Sequence, residues 1–170
     1  NRDFYAQKPN EKWVTDVTEF SLFGKKLYLS PILDLHSSYL VSYTISERPV
    51  LSMVTSMLEK AFVNIPDNTN LILHSDQGWQ YQHKQYQRML HNKGIRQSMS
   101  RKGNCLDNSV MENFFGILKS ELLYLQKFES MEQFKKELVD YLDYYNNSRI
   151  KTKLKGLSPA LYRKQALMAS

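Results

Sequence analysis

Three acidic residues in separate parts of the chain are of the right type to bind a metal ion. Asp16 interrupts a strand-like segment, Asp76 ends a short apolar run, and Glu112 lies in the first turn of a predicted helix. Carboxylate oxygens are the ligands that Mg²⁺ and Mn²⁺ prefer, and Mg²⁺ keeps several waters, so two or three acids are enough. If the fold brings these side chains together, they could bind divalent cations.

Each acid taken alone also has a structural interpretation. Asp16 could be a polar interruption of an edge strand, and Asp76 could simply open a turn before Gly78. Glu112 could pair with Ser109 in a capping box, because Ser-x-x-Glu is typical of a helix start. The combination of the three acids, more than any one of them, favours a functional site.

The residues that flank the three acids resemble those of the integrase-core transposases of bacterial insertion sequences, which are relatives of retroviral integrases. The similar stretches are Thr-Asp16-Val-Thr, His-Ser-Asp76-Gln-Gly, Asn108-Ser-Val-Met-Glu112-Asn-Phe-Phe, Tyr144-Tyr-Asn and Leu157-Ser-Pro. Thirty-five residues separate Asp76 from Glu112, and Lys119 follows Glu112 by seven. The resemblance extends from about residue 10 to residue 163.

The resemblance implies DNA cleavage followed by strand transfer, with two Mg²⁺ or Mn²⁺ ions in the active site. Asp16 is the candidate to bridge both ions, and Asp76 and Glu112 would each hold one. Water would free a 3′ hydroxyl at the end of a mobile element, and that hydroxyl would attack a second phosphodiester. Because ester exchange is isoenergetic, no nucleotide cofactor is expected, and the sequence has no Gly-x-x-x-x-Gly-Lys motif. Without metal, repulsion among three carboxylates predicts a displaced Glu112.

The resemblance also implies that Lys119 contacts DNA near the cut bond. Glu112 and Lys119 share one side of the predicted helix, roughly 10 Å apart at 1.5 Å per residue. An ordinary surface cation is the alternative. Gly116 lies in the same stripe, and because glycine costs ~1 kcal/mol relative to alanine in a helix, it suggests close approach by DNA or by a neighbouring helix.

Five further residues are predicted to contact DNA. Arg101 and Lys102 lie in a loop, residues 100–107, that could meet phosphates or could simply be solvated. Arg149 and Lys151 begin a run of cations that alternate with apolar residues, which would form a phosphate track if extended and a solvated connector otherwise. Asn108, from the family-like stretch, completes the set.

Two other residues near the predicted site are set aside. His74 shares a strand face with Asp76, but a hydrogen-bonded core residue is expected there because the proposed metals prefer oxygen. Asp34 lies in an apolar run and could rival Asp16. Its flanking residues do not resemble those of the family's first acid.

The periodicity of apolar residues predicts a mixed α/β fold with a central five-stranded sheet flanked by helices. The predicted strands are residues 12–20, 25–35, 39–45, 71–74 and 95–99. Predicted helices begin near residues 51, 108 and 129, and another, marked by Tyr86, Met89 and Leu90, ends at Gly94. Three antiparallel strands followed by helix, strand, helix, strand and helix is also the order of the ribonuclease-H-like fold that the resemblance implies.

Composition and charge agree with a DNA-acting domain. The 170 residues suit one compact unit, and a net charge of +6 favours a polyanionic partner such as nucleic acid. The resemblance implies that this partner is DNA, at the ends of a mobile element and at its target. The sequence predicts a linker from a missing upstream region at residues 1–11, a catalytic core at 12–148 and a basic C-terminal extension with a short helix at 149–170. Joining two DNA ends suggests a homo-oligomer on DNA.

The cellular location is predicted from what the sequence lacks. Cys105 is the single cysteine and cannot form an internal disulfide, and no apolar run approaches the ~20 residues that span a bilayer. A bacterial cytoplasm, in association with the nucleoid, is therefore expected.

Two other functions stay open at this point. One is a ribonuclease-H-like nuclease that cuts DNA and never joins it. The other is a catalytically silent DNA-binding or assembly module, which the retention of all three acids disfavours.

Overall fold

The computed structural model of the chain describes residues 6–101 and 109–169, and within them six strands and six helices follow one another in mixed order. The strands are β1 Lys12–Thr15, β2 Thr18–Leu22, β3 Lys25–Asp34, β4 Tyr39–Ser46, β5 Ile72–Ser75 and β6 Arg96–Met99. The helices are α1 Leu51–Phe62, α2 Trp79–Gln82, α3 Lys84–Lys93, α4 Ser109–Leu118, α5 Met131–Asn147 and α6 Pro159–Met168. A π-helical turn, Lys119–Leu123, continues α4, and a 3₁₀ turn spans Thr152–Leu154.

The sheet combines antiparallel and parallel pairs. β3 pairs antiparallel with β1, β2 and β4, whereas β1, β5 and β6 are parallel neighbours. This arrangement confirms the predicted ribonuclease-H-like α/β fold. It differs from the prediction in one respect, because the expected first strand at 12–20 is divided at Asp16 and Val17 into β1 and β2, so the sheet of the described residues has six strands.

The division of the first strand lies opposite Pro31 of β3. The β1 ladder ends at Thr15 and the β2 ladder begins at Thr18, so Pro31 lies between them. A proline cannot donate a ladder hydrogen bond, and its carbonyl instead accepts one from Thr15 Oγ1 at 2.7 Å. A proline inside a strand pattern predicts either an edge strand or a bulge at that point, and β3 is an interior strand. The register with β4 does shift nearby, between Ile32 and Leu33.

Helices cover both faces of the sheet and bury a core on each. Trp13 faces the core formed with α1 and α3, and the next residue, Val14, faces the core formed with α4 and α5. This alternation is the strand period of two. The spacing of apolar residues from 131 to 145 predicts one inward face of α5, and all six residues on that face are buried: Met131, Phe134, Leu138, Tyr141, Leu142 and Tyr145.

Two helix ends follow their predicted signals. Gly94 ends α3 in the left-handed conformation, with φ of 80°, which glycine adopts at low cost. The Ser158 side chain caps α6 by accepting a hydrogen bond from the Leu161 backbone N–H at 3.3 Å, and Pro159 is the first helical residue. No helix within the described ranges is long and apolar enough to cross a membrane.

A buried ion pair fixes α6 to the sheet. Asp34, at the end of β3, is fully buried, and its Oδ2 lies 2.6 Å from Nη1 of Arg163 on α6. The same carboxylate accepts backbone N–H bonds from Asn10 at 2.7 Å and from His36 at 2.9 Å. These contacts give the acid in the apolar run a structural role.

Candidate active site

The sheet brings Asp16 and Asp76 side by side. β1 and β5 are parallel neighbours whose register places Val14 opposite His74, and each aspartate follows two residues later, just beyond its strand. Because neighbouring strands lie about 4.8 Å apart, the two aspartates lie next to each other at the carboxyl ends of adjacent strands. β1 is interior, so the interpretation of Asp16 as part of an edge strand is wrong.

Each aspartate is oriented by the turn that it begins. Asp16 Oδ1 accepts the Val17 backbone N–H at 2.8 Å, and Asp76 Oδ1 accepts that of Gly78 at 2.7 Å. A Cβ added at Gly78 would lie 3.0 Å from Asp76 Oδ1, so the tight turn favours glycine. Asp76 therefore does open a turn, as its structural interpretation predicts. One such bond does not exhaust a carboxylate, which can accept about four.

Tyr81 of α2 is a buried neighbour that both aspartates share. Its side chain is fully buried, and its pKa is raised well above the ordinary value, first by burial, then by Tyr86, and then by the negative charges of Asp16 and Asp76. The charges of both carboxylates therefore reach the same Tyr81 hydroxyl. No sequence pattern indicates Tyr81, because α2 is a single turn without a periodicity to interpret.

Glu112 lies apart from this pair. It is exposed in the first turn of α4, the helix that packs on the Val14 face of the sheet and contacts β1. Within the described ranges, no group of three or more His, Cys, Asp or Glu side chains could hold a metal ion. The structure thus brings Asp16 and Asp76 together without Glu112. Residues 102–108, just before α4, lie outside the described residues, so the capping-box interpretation stays open.

The other residues in the Glu112 stripe face open space or the sheet. A Cβ added at Gly116 would meet nothing within 4 Å, so a close neighbouring helix does not explain this glycine. The Lys119 ammonium lies 5.8 Å from the centre of the Phe20 ring. Lys119 is also the first residue of the π-helical turn.

Arg149 is held by a carboxylate. Its guanidinium forms a bidentate pair with Glu121, with Nε–Oε1 of 2.9 Å and Nη2–Oε2 of 2.6 Å, and the Tyr141 hydroxyl donates to the same carboxylate at 2.8 Å. The hydrogen bonds from Arg149 lower the pKa of Glu121. The predicted contact of Arg149 with DNA stays a prediction, and it would require this pair to open or to be shared.

The basic run after α5 is not one extended strand. A 3₁₀ turn at Thr152–Leu154 and a left-handed Lys155, with φ of 58°, bend it. Alternation therefore does not place its cations on one side, although Lys151 and Lys153 still line common cavities.

The remaining predicted DNA contacts are placed only in part. Arg101 is exposed at the end of the first described range, and Lys102 and Asn108 lie outside the described residues. His74 Nδ1 lies 2.9 Å from Ser98 Oγ on β6, which confirms the expected hydrogen-bonded histidine.

A matched pair of tyrosine substitutions tests the packing next to the site. The buried Tyr86 hydroxyl has no hydrogen-bond partner among the described residues, whereas the buried Tyr145 hydroxyl donates to the Ser38 carbonyl at 2.7 Å. We expect Tyr86→Phe to raise the free energy of unfolding by about 1 kcal/mol and Tyr145→Phe to lower it by about 1 kcal/mol. Denaturant unfolding measures both, and equal losses in the two variants would show that Tyr86 has a partner.

The fold and the aspartate pair together define the class. The fold has four strands, β1 to β4, in antiparallel pairs, the parallel strands β5 and β6 beside β1, and helices on both faces. With two aspartates beyond the ends of adjacent parallel strands, this is the ribonuclease-H-like fold.

Comparison with known families places the chain within that class. Residues 6–105 match a family described as integrase core domain, and residues 112–167 match a second family with the same description. The chain is 56% identical to InsK for insertion sequence element IS150 of Escherichia coli, over 98% of this chain and 59% of that protein. It is 52% identical to a transposase-like protein of Haemophilus influenzae, over 98% of this chain and 76% of that protein. The chain belongs to the integrase core family, among the transposases of bacterial insertion sequences.

Solved structures share the fold at low sequence identity. One is a chain in the intasome of simian T-cell lymphotropic virus, with a TM-score of 0.78 and 22% sequence identity. The match covers 94% of the present chain and 56% of the viral chain. The HTLV-2 integrase catalytic core domain in complex with magnesium matches 92% of this chain and 98% of that chain with a TM-score of 0.72 and 17% identity.

Proposed function

We propose that the chain is the catalytic core of an insertion-sequence transposase, which cleaves DNA at the ends of a mobile element and joins them to target DNA. The observation that carries the proposal is the register of β1 and β5, which sets Asp16 beside Asp76. The family supports the same reaction, although the chain spans 59% of the length of InsK. The proposed partners are element ends, target DNA and further copies of this chain assembled on DNA.

The paired aspartates fit a divalent cation of the Mg²⁺ type. Asp16 and Asp76 offer oxygen donors at adjacent strand ends, and Mg²⁺ is commonly bound by one or two carboxylates while it keeps several waters. The magnesium in the HTLV-2 core complex supports this choice of ion. We assign Asp16 and Asp76 as ligands, and we assign Glu112 as a third that joins them when metal and DNA are bound.

Two bound divalent cations would supply an activated oxygen nucleophile and a stabilised leaving oxygen. The chain itself would orient the carboxylates through the Val17 and Gly78 N–H bonds, so that ligand geometry is set before substrate arrives. The buried Tyr81 below the pair would keep water away from that side. Lys119, Arg101, Lys102 and Asn108 are proposed to contact phosphates near the reacting bond.

A branched DNA substrate tests the proposed chemistry without knowledge of the element's end sequence. Because ester exchange is isoenergetic, a junction that holds a 3′ hydroxyl beside a phosphodiester should be resolved by the reverse of strand transfer. We expect a joined product on a denaturing gel when Mg²⁺ or Mn²⁺ is present, and none when the metal is chelated. Cleavage products without joined product would instead identify a nuclease.

DNA affinity should fall steeply with salt. Binding through phosphates releases counterions, so each phosphate contact contributes about −0.9 to the slope of log K against log salt concentration. For the chain with net charge +6 we expect a slope steeper than about −3 in fluorescence anisotropy with a labelled duplex. A slope near zero would be incompatible with phosphate-based binding.

A further inference from the structure

Two adjoining cavities meet at Lys151 and Lys153, and the larger of them lies beside α4, next to the Glu112 stripe. The larger, of about 660 Å³, is lined by Ser109 and Asn113 of α4 together with Lys151 and Lys153. The smaller, of 400 Å³, is lined by His36 and Ser37 of the β3–β4 turn, again with Lys151 and Lys153. Because the two cavities share these lysines and Ser38, we treat them as one trough, called here the basic trough.

The basic trough carries positive charge that is not balanced by its own lining. No aspartate or glutamate is among the described residues that line either cavity. Burial lowers the pKa of Lys151, and the positive charges of Arg149 and Lys153 lower it further. Two nearby carboxylates already have cationic partners: Glu121 is held by Arg149 in a bidentate pair, and Asp34, which accepts the His36 backbone N–H, pairs with Arg163. An anion in the trough would therefore relieve repulsion between cations.

The smaller cavity also presents buried polar atoms that have no hydrogen-bond partner among the described residues. Ser37 is 2% exposed, and its Oγ has no hydrogen-bond partner within the described ranges. The same holds for Nδ1 of His36, whose ring packs on Tyr162 at 5.2 Å between centroids. A buried hydroxyl without a partner costs about 1–3 kcal/mol, which a bound acceptor would recover. A hydroxyl and two ammonium groups around one cavity are donors that suit phosphate oxygens.

The larger cavity indicates that a phosphate bound in the smaller cavity would be part of a nucleic-acid strand. It is open, it runs along α4, and its lining adds the apolar side chains of Val110, Ile117 and Ile150, the last of which is 70% exposed. Apolar side chains beside cations suit a nucleotide chain, whose sugars and bases alternate with phosphates. A free phosphate ion would leave this surface unused.

We propose that the smaller cavity binds a backbone phosphate of DNA and that the adjoining nucleotides lie along the larger cavity beside α4. The proposal rests on the proposed function for the identity of the polyanion as DNA. It assigns Ser37, His36, Lys151 and Lys153 to one phosphate site, separate from the aspartate pair.

Binding of a fluorescein-labelled DNA duplex to charge-matched variants tests the site. We expect the double variant Lys151→Gln with Lys153→Gln to bind about tenfold more weakly and to lose about one to two from the salt slope. The control, Lys135→Gln with Lys136→Gln, removes the same charge from exposed positions on α5 and should change affinity less than about threefold. Equal losses in the two variants would overturn the proposal, because only net charge would then matter.

The Ser37→Ala variant distinguishes a cavity that binds phosphate from a cavity that holds only water. We expect DNA binding to weaken several-fold while the melting temperature stays equal or rises, because the free protein loses no hydrogen bond. Wild-type affinity in this variant would overturn the proposal. A second result would also overturn it: inorganic phosphate raises the melting temperature of the wild type, but the lysine substitutions leave DNA affinity unchanged. The site would then bind a free anion and not DNA. These measurements do not depend on catalysis. If the chain binds DNA through the basic trough but does not exchange phosphodiesters, the proposed function is refuted and the phosphate site is not.

Discussion

Asp76→Asn should reduce phosphodiester exchange on branched DNA by on the order of 10³-fold, which corresponds to about 4 kcal/mol of transition-state stabilisation. Asparagine keeps the shape and one oxygen, so it can still accept the Gly78 N–H bond that Asp76 makes at 2.7 Å. It lacks the negative charge that would hold a divalent cation beside Asp16. The assay is the yield of joined strand with time in Mg²⁺ or Mn²⁺.

The fold and DNA binding of this variant should survive. Removing one of two adjacent negative charges relieves repulsion, so the melting temperature should be equal or higher. Asp67→Asn is the control, since Asp67 is exposed and pairs with Lys93 on α3 at 2.9 Å, away from the paired aspartates. Exchange within about threefold of the wild type in Asp76→Asn would show that this carboxylate is not a metal ligand.

Arg163→Met should lower the free energy of unfolding by about 3 kcal/mol, because it leaves the Asp34 carboxylate buried without its cation. Asp34 is 0% exposed, and its Oδ2 lies 2.6 Å from Arg163 Nη1. The same arginine donates to Asn10 Oδ1 at 2.7 Å, so its loss also loosens the segment that leads into β1. The change is measured by denaturant unfolding, with the same dependence of the unfolding free energy on denaturant concentration (m value) used for both proteins.

A neighbouring substitution and a double variant control this measurement. Lys164→Met makes a similar change one residue later at an exposed position of α6 and should cost less than about 0.5 kcal/mol. Adding Asp34→Asn to Arg163→Met should recover about 1 kcal/mol or more, since the uncompensated charge is removed. If Arg163→Met and Lys164→Met cost the same, the ion pair does not hold α6 in place.

The pairing of the two aspartates could be predicted because local signals and topology agree. Asp16 follows an apolar strand and Asp76 follows another, and a mixed α/β order places such strands next to each other. The inward face of α5 and the ends of α3 and α6 were predictable for the same reason, since each depends on periodicity or a cap within a few residues.

Features that depend on distant partners could not be predicted. The basic run after α5 alternates like a strand, yet the turn at Thr152–Leu154 bends it, and Arg149 is drawn to Glu121 twenty-eight residues away. The division of the first strand depends on Pro31 across the sheet. The basic trough combines five segments that are distant along the chain, so no local sequence pattern predicts it.

A crystal of the chain soaked in Mn²⁺ and measured by anomalous scattering tests the central claim most directly. We predict an anomalous peak whose protein ligands include both Asp16 and Asp76, and we predict that Asp16→Asn weakens that peak. Mn²⁺ bound elsewhere, with neither aspartate among its ligands, would contradict the assignment of this pair as the metal site.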